Sequence, residues 1–98
     1  MTQITSADIA LLNVAIDIFI RTGNPALQNE AQRSSNERLA LSCINKLAKE
    51  ELGFTKNECD VIFMAVSFML ENLARVSSTK AYLYGARLKE LKKVFDVR

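Results

Sequence analysis

Apolar and polar positions alternate with helical spacing along nearly the whole chain, and the pattern is densest from Cys59 to Leu73, CDVIFMAVSFMLENL. From Val61 to Leu70 the only polar residue is Ser67. At ~100° per residue the apolar side chains of this stretch cover more than half a helix, leaving a strip of Lys56, Asp60, Met64, Ser67, Glu71 and Arg75 for water. A helix that apolar must be covered on several sides. It is too interrupted, by Asp60 before and Glu71-Asn72 after, for a membrane span of ~20 apolar residues. Thr55 as N-cap, Glu58 three residues on and Phe54 before the cap mark its start as a capping box with a hydrophobic staple towards Cys59.

Three further helices surround it. Thr5 or Ser6 caps the first, over about 6–22, with Asp8 in its first turn and Gly23-Asn24-Pro25 at its end. Ile9, Leu12, Ile16, Phe19 and Ile20 form its core stripe, while Leu11, Val14, Ala15 and Ile18 form a second stripe beside it. The polar segment NPALQNEAQRSSNER, from Asn24 to Arg38, is read as a short extra helix near 25–33 and a break at Ser34-Ser35. A second main helix follows over about 35–52, with Leu39, Cys43, Ile44, Leu47, Ala48 and Leu52 inward and Gly53 as the left-handed C-terminal residue. The third runs over about 56–76. The fourth, about 79–95, starts at a Ser77 or Ser78 cap and turns Ala81, Tyr84, Leu88, Leu91 and Phe95 to the core.

The expected fold is therefore all-α, a compact bundle of four main helices in a single domain over 1–98 with helix three at its centre. Composition agrees: 49% of the 98 residues are apolar, with one Pro and three Gly. The N-terminal MTQITSAD lacks the basic residues of an export signal, so a cytoplasmic location is expected. Cys43 and Cys59 fall at different heights of the helix two–three hairpin and read as unpaired, small hydrophobes.

Candidate chemistry is sparse. Histidine is absent, which removes the commonest general base and metal ligand, and two Cys make no zinc site. Asp60 and Glu71 share a strip but lie three turns apart, about 16 Å, too far to act on one bond. Ser77-Ser78-Thr79-Lys80 has the S-x-x-K spacing of serine acyl enzymes without their other motifs. No catalytic site, cofactor or metal is expected. LAKEELGFTKNECDVI, from Leu47 to Ile62, resembles the helix-turn-helix of bacterial repressors, which would imply DNA binding. It departs from that pattern by one residue between Ala48 and Gly53, and its second helix begins with carboxylates and then becomes core.

Two surfaces remain. Arg75 to Arg98 holds seven basic against two acidic residues, whereas Met1 to Ala74 holds six against nine. Tyr82, Arg87, Lys89, Lys92 and Lys93 make a basic patch on the last helix, suited to an acidic partner such as nucleic acid. The second stripe of helix one, Leu11, Val14, Ala15 and Ile18, suits a helix-on-helix interface with a protein partner or a second copy. The function expected first is a non-enzymatic protein-protein interaction module, a small cytoplasmic regulator, adaptor or inhibitor acting as a homodimer. A chain this short and site-free suits a phage or mobile-element product that blocks a host machine. Nucleic-acid binding through the basic last helix is the alternative.

Overall fold

The computed structural model describes residues 4–76 and 78–97, with side chains outside 74–82. It is an all-α bundle of α1 (Ser6–Ile18), α2 (Glu30–Ala48), α3 (Lys56–Val76) and α4 (Ser78–Val94). α3 is the central element, packed against α1, α2 and α4 alike. Val61, Ile62, Ala65 and Val66 are all at most 1% exposed, and they meet Leu12 and Ile16 of α1, Cys43 and Leu47 of α2, and Leu88 and Leu91 of α4 in one core. The density of apolar residues in α3 follows from that position, because it must offer a face to each neighbour.

α1 starts as its sequence indicates. Thr5 accepts from the Asp8 amide at 3.2 Å, and the Asp8 carboxylate accepts from the Thr5 amide at 2.9 Å, a complete capping box. Its end differs from a plain stop at Gly23. A π-helical turn, Phe19–Gly23, and a single 3-10 turn, Asn24–Ala26, carry the chain on. Thr22 donates its hydroxyl back to the Ile18 carbonyl at 2.6 Å, which competes with the α-helical ladder at that level.

The segment expected to break does not. α2 begins five residues earlier than the sequence suggests, at Glu30, and runs through Ser34 and Ser35 without interruption; no helix spans 25–33. Asn29 is its N-cap, accepting from the Gln32 amide at 3.0 Å. The polar run is an anchor rather than a loop. Asn24 is fully buried, donates to the Arg33 carbonyl at 3.2 Å and accepts from the Asn36 amide at 3.0 Å, while the Arg33 guanidinium donates to the Leu27 carbonyl. Each buried amide finds a partner across the α1–α2 junction, so burial costs little.

α2 also stops short of residue 52. Glu50, not Gly53, takes the left-handed conformation, with φ 57°. The Glu50 amide donates to the Leu47 carbonyl at 3.1 Å and that of Glu51 to the Lys46 carbonyl at 2.8 Å, the paired bonds of a Schellman motif. A non-glycine residue there is strained, and a carboxylate beside a helix C-terminus is unfavourable. Glu50→Gly is accordingly expected to raise the unfolding free energy by about 0.5–1 kcal/mol after glycine's own entropic cost. A fall in the urea midpoint would overturn this account of the turn.

The α3 capping box is present and does more than cap. Glu58, 2% exposed, accepts from the Thr55 amide at 2.8 Å, the Ser42 hydroxyl at 2.6 Å and Lys46 Nζ at 2.6 Å, clamping α2 to α3. Lys46 also donates to the Gly53 carbonyl at 3.1 Å and lies 5.9 Å from the centre of the Phe54 ring, which packs edge-on against Phe95. Cys43 and Cys59 are both free, and burial pushes the Cys43 thiol up to about 12, which leaves it inert. Among the described residues no helix is long and apolar enough to cross a membrane.

Candidate functional site

Among the described residues the backbone of α4 closely approaches only α3, and α1 packs on another face of α3. The two outer helices leave a gap above the C-terminal half of α3. Across it lies an apolar groove of about 780 Å³, walled by Ala7, Ala10, Leu11, Val14 and Ile18 of α1, floored by Met69 and Leu73 of α3, and edged by Tyr84 and Arg87 of α4. α1 lines it with the second stripe noticed in the sequence, with one correction. Leu11 and Ile18 are half-buried and Val14 is 47% exposed, but Ala15 is fully buried in the core and belongs to no surface. Its small side chain lets α1 sit close to its neighbours, so a substitution there tests folding rather than contact.

One ion pair bridges the gap. Arg87 donates from Nε to Asp8 Oδ1 at 2.7 Å and from Nη2 to Asp8 Oδ2, a bidentate fork between residues 79 apart in sequence. Its remaining arm, Nη1, reaches Glu90 at 2.7 Å. The Arg87 guanidinium holds the Asp8 carboxyl down at about 2, against the opposing effect of burial, with the Thr5 contacts adding to it. The same bonds raise the Arg87 pKa still further above its ordinary value.

That engagement dismantles much of the expected basic patch. Arg87 is turned to Asp8 instead of solvent, and Lys92 lies over the Phe63 ring at 5.3 Å from its centre. Lys89 and Lys93 are exposed, and the Tyr82 and Ala81 side chains and Ser77 lie outside the described residues. Tyr84, expected to face the core, is 46% exposed at the groove's edge, because α1 does not close over α4 at that level. The helix-turn-helix likeness fares no better: residues 49–55 separate α2 from α3, and Glu58, at the start of the would-be recognition helix, is buried against Lys46 and Ser42.

Four of the groove's five polar side chains, all but Tyr84, are already engaged. Thr22 donates to Ile18 and the Asn72 amide to the Phe68 carbonyl at 2.7 Å, each within its own helix, while Asp8 and Arg87 satisfy one another. A polar small molecule gains orientation from directional groups waiting for it. Here the wall offers shape and aliphatic surface, which another chain's aliphatic side chains can cover without leaving any of those four groups unpaired. Leu73 and Tyr84 were outside the sequence-derived interface, because only the tertiary gap between α1 and α4 brings them beside Val14. The chain matches no known family model, no curated protein and no solved structure.

Proposed function

We propose that this chain is a non-enzymatic protein-interaction module, a small cytoplasmic regulator, adaptor or inhibitor whose groove between α1, α3 and α4 receives the aliphatic face of a helix from another chain. The observation that carries this reading is a continuous apolar surface whose charged pair, Asp8 and Arg87, and whose Asn72 amide are engaged within the protein itself. α1 and the π-helical turn after it contribute residues from Ala7 to Thr22, a run of sixteen or roughly 24 Å, enough for about four turns of a bound partner.

A labelled amphipathic model helix, leucine on one face and glutamine on the other, tests the groove by fluorescence anisotropy. Val14→Glu places a charge at an exposed position, so the fold survives while binding weakens at least about tenfold. Raising the salt, or Lys89→Glu with Lys93→Glu, leaves the affinity unchanged. Binding that ignores Val14→Glu but collapses with salt and with the two lysine reversals would move the site to α4 and overturn the proposal.

A further inference from the structure

We propose that Tyr84 is the residue by which the groove reads its partner, and that the helix it selects carries one carboxamide, glutamine or asparagine, on the flank of its aliphatic face turned towards α4. This rests on the groove being a helix-binding site and names the chemistry of the helix that fills it.

Tyr84 stands apart from the other polar side chains of the groove. Asp8 and Arg87 are joined by their fork, Thr22 donates to the Ile18 carbonyl, and Asn72 donates to the Phe68 carbonyl. Among the described residues, no group of the chain bonds to the Tyr84 hydroxyl. The side chain lies at the α4 edge of the groove, 46% exposed, where solvent reaches it while the groove is open. A helix lying between α1 and α4 passes beside it and takes that solvent away. Left unpaired, a phenol in such an interface weakens binding; paired, it adds a directional bond. The aliphatic wall sets size and shape alone, so this one hydroxyl discriminates between helices of equal hydrophobicity.

Charge decides which polar group fits. A phenol both donates and accepts, so a carboxylate, an ammonium and a carboxamide can each bond to it. The first two are ions, and the charges nearby are already committed. Asp8 and Arg87 hold one another, and Glu90 takes the Nη1 arm of the guanidinium. A carboxylate from the partner adds to the charge of Asp8 and Glu90, whereas an ammonium adds to that of Arg87, one turn along α4 from Tyr84. Either ion is desolvated without gaining a counter-ion. A carboxamide brings no charge. Its oxygen accepts from the phenol, and its amino group points outwards at the rim of the groove, where water remains.

Fluorescence anisotropy on the unaltered chain compares model helices that share a leucine stripe and differ only on its flanks. In the reference helix both flanks are alanine, and in the series a single glutamine moves along each flank in turn, one position per peptide. At one position glutamine is expected to tighten binding about threefold to tenfold, the range of one neutral hydrogen bond. Glutamate or lysine at that position gains nothing over alanine. Tyr84→Phe keeps the ring and removes the hydroxyl at an exposed site, so the fold is retained. It abolishes the glutamine advantage and leaves the alanine-flanked helix bound at least as tightly as before. A glutamine advantage that survives Tyr84→Phe, a larger gain from glutamate or lysine, or a series in which no position discriminates overturns the proposal. In each of those cases a reference helix that still binds, and is weakened by Val14→Glu, leaves the groove's role standing, whereas a series in which no helix binds removes both.

Discussion

Acidification from pH 5 to pH 2 is expected to remove about 5 kcal/mol of folding free energy, through Asp8 and Glu58. Both carboxyls are nearly inaccessible, at 3% and 2% exposed, and each is held at about 2, well below the ordinary 3.8 and 4.5. Burial alone would raise them. It is outweighed at Asp8 by the Arg87 fork and the Thr5 amide, and at Glu58 by Lys46, the Ser42 hydroxyl and the Thr55 amide taken together. A carboxyl whose folded value lies below its unfolded one stabilises the fold above the unfolded value, and loses that contribution as pH falls through the interval between them. The window therefore runs from about pH 4.5 down to pH 2. At ~1.36 kcal/mol per unit, Asp8 supplies roughly 2 kcal/mol of the loss and Glu58 roughly 3 kcal/mol. Against the 5–15 kcal/mol typical of domains, about 5 kcal/mol decides whether the chain is folded at pH 2. Urea unfolding at pH 5, 4, 3 and 2 measures it, and Arg87→Met or Lys46→Met should each flatten the dependence by removing one cation. A urea midpoint that does not move between pH 5 and pH 2 would show that neither carboxylate is held as the structure holds it.

The same two residues mark what could be read from the sequence. Glu58 was legible as a capping residue, because its partner Thr55 is three positions away and the pattern is local. Its bonds to Ser42 and Lys46 cross a turn and were not. Asp8 was legible as a charge suited to a helix start, whereas Arg87, 79 positions on, read as part of a solvent-facing basic patch. The four helices and the central position of α3 follow from apolar periodicity, which reports burial whatever the partner. Asn24 and Asn36 were misread for the opposite reason. Amide side chains break helices when they bond their own backbone and anchor them when they bond each other, and only the tertiary neighbour decides between the two. Gly53 drew the left-handed turn away from Glu50, because glycine is the usual residue there and glutamate is not. The second stripe of α1 was visible as an excess of apolar surface, but the sequence could not separate Ala15, which the core absorbs, from Val14, which nothing in the chain covers.

Gly23→Ala is expected to destabilise the chain by about 2 kcal/mol, although helix propensity alone argues for a gain. Gly23 has φ −81° and ψ −46°, a conformation any residue accepts, so no backbone strain is relieved by glycine here. Alanine would ordinarily be preferred by about 0.5–1 kcal/mol. The obstacle is steric. A Cβ at this position would lie 2.9 Å from Phe19 Cδ1 and 2.9 Å from Phe68 Cε2, inside the contact distance of carbon atoms. These atoms belong to two rings packed edge to face with centroids 6.0 Å apart; Phe19 is 5% exposed and cannot swing away without disturbing the core, and the half-buried Phe68 can yield only by giving up its contact with Phe19. Overpacking of this kind costs about 1–3 kcal/mol, and two rings in the path put it at the upper end, beyond what propensity returns. Urea denaturation compares the variants, and Phe68→Leu supplies the control. Removing that ring frees one side of the collision, so Gly23→Ala should cost at least about 1 kcal/mol less in the Phe68→Leu background than in the native one. If Gly23→Ala instead raises the midpoint, α1 is not held against α3 through these rings. The groove's upper end, where Ile18 and Thr22 face Met69 and Asn72, would then be wider in solution than the packing of Gly23 requires.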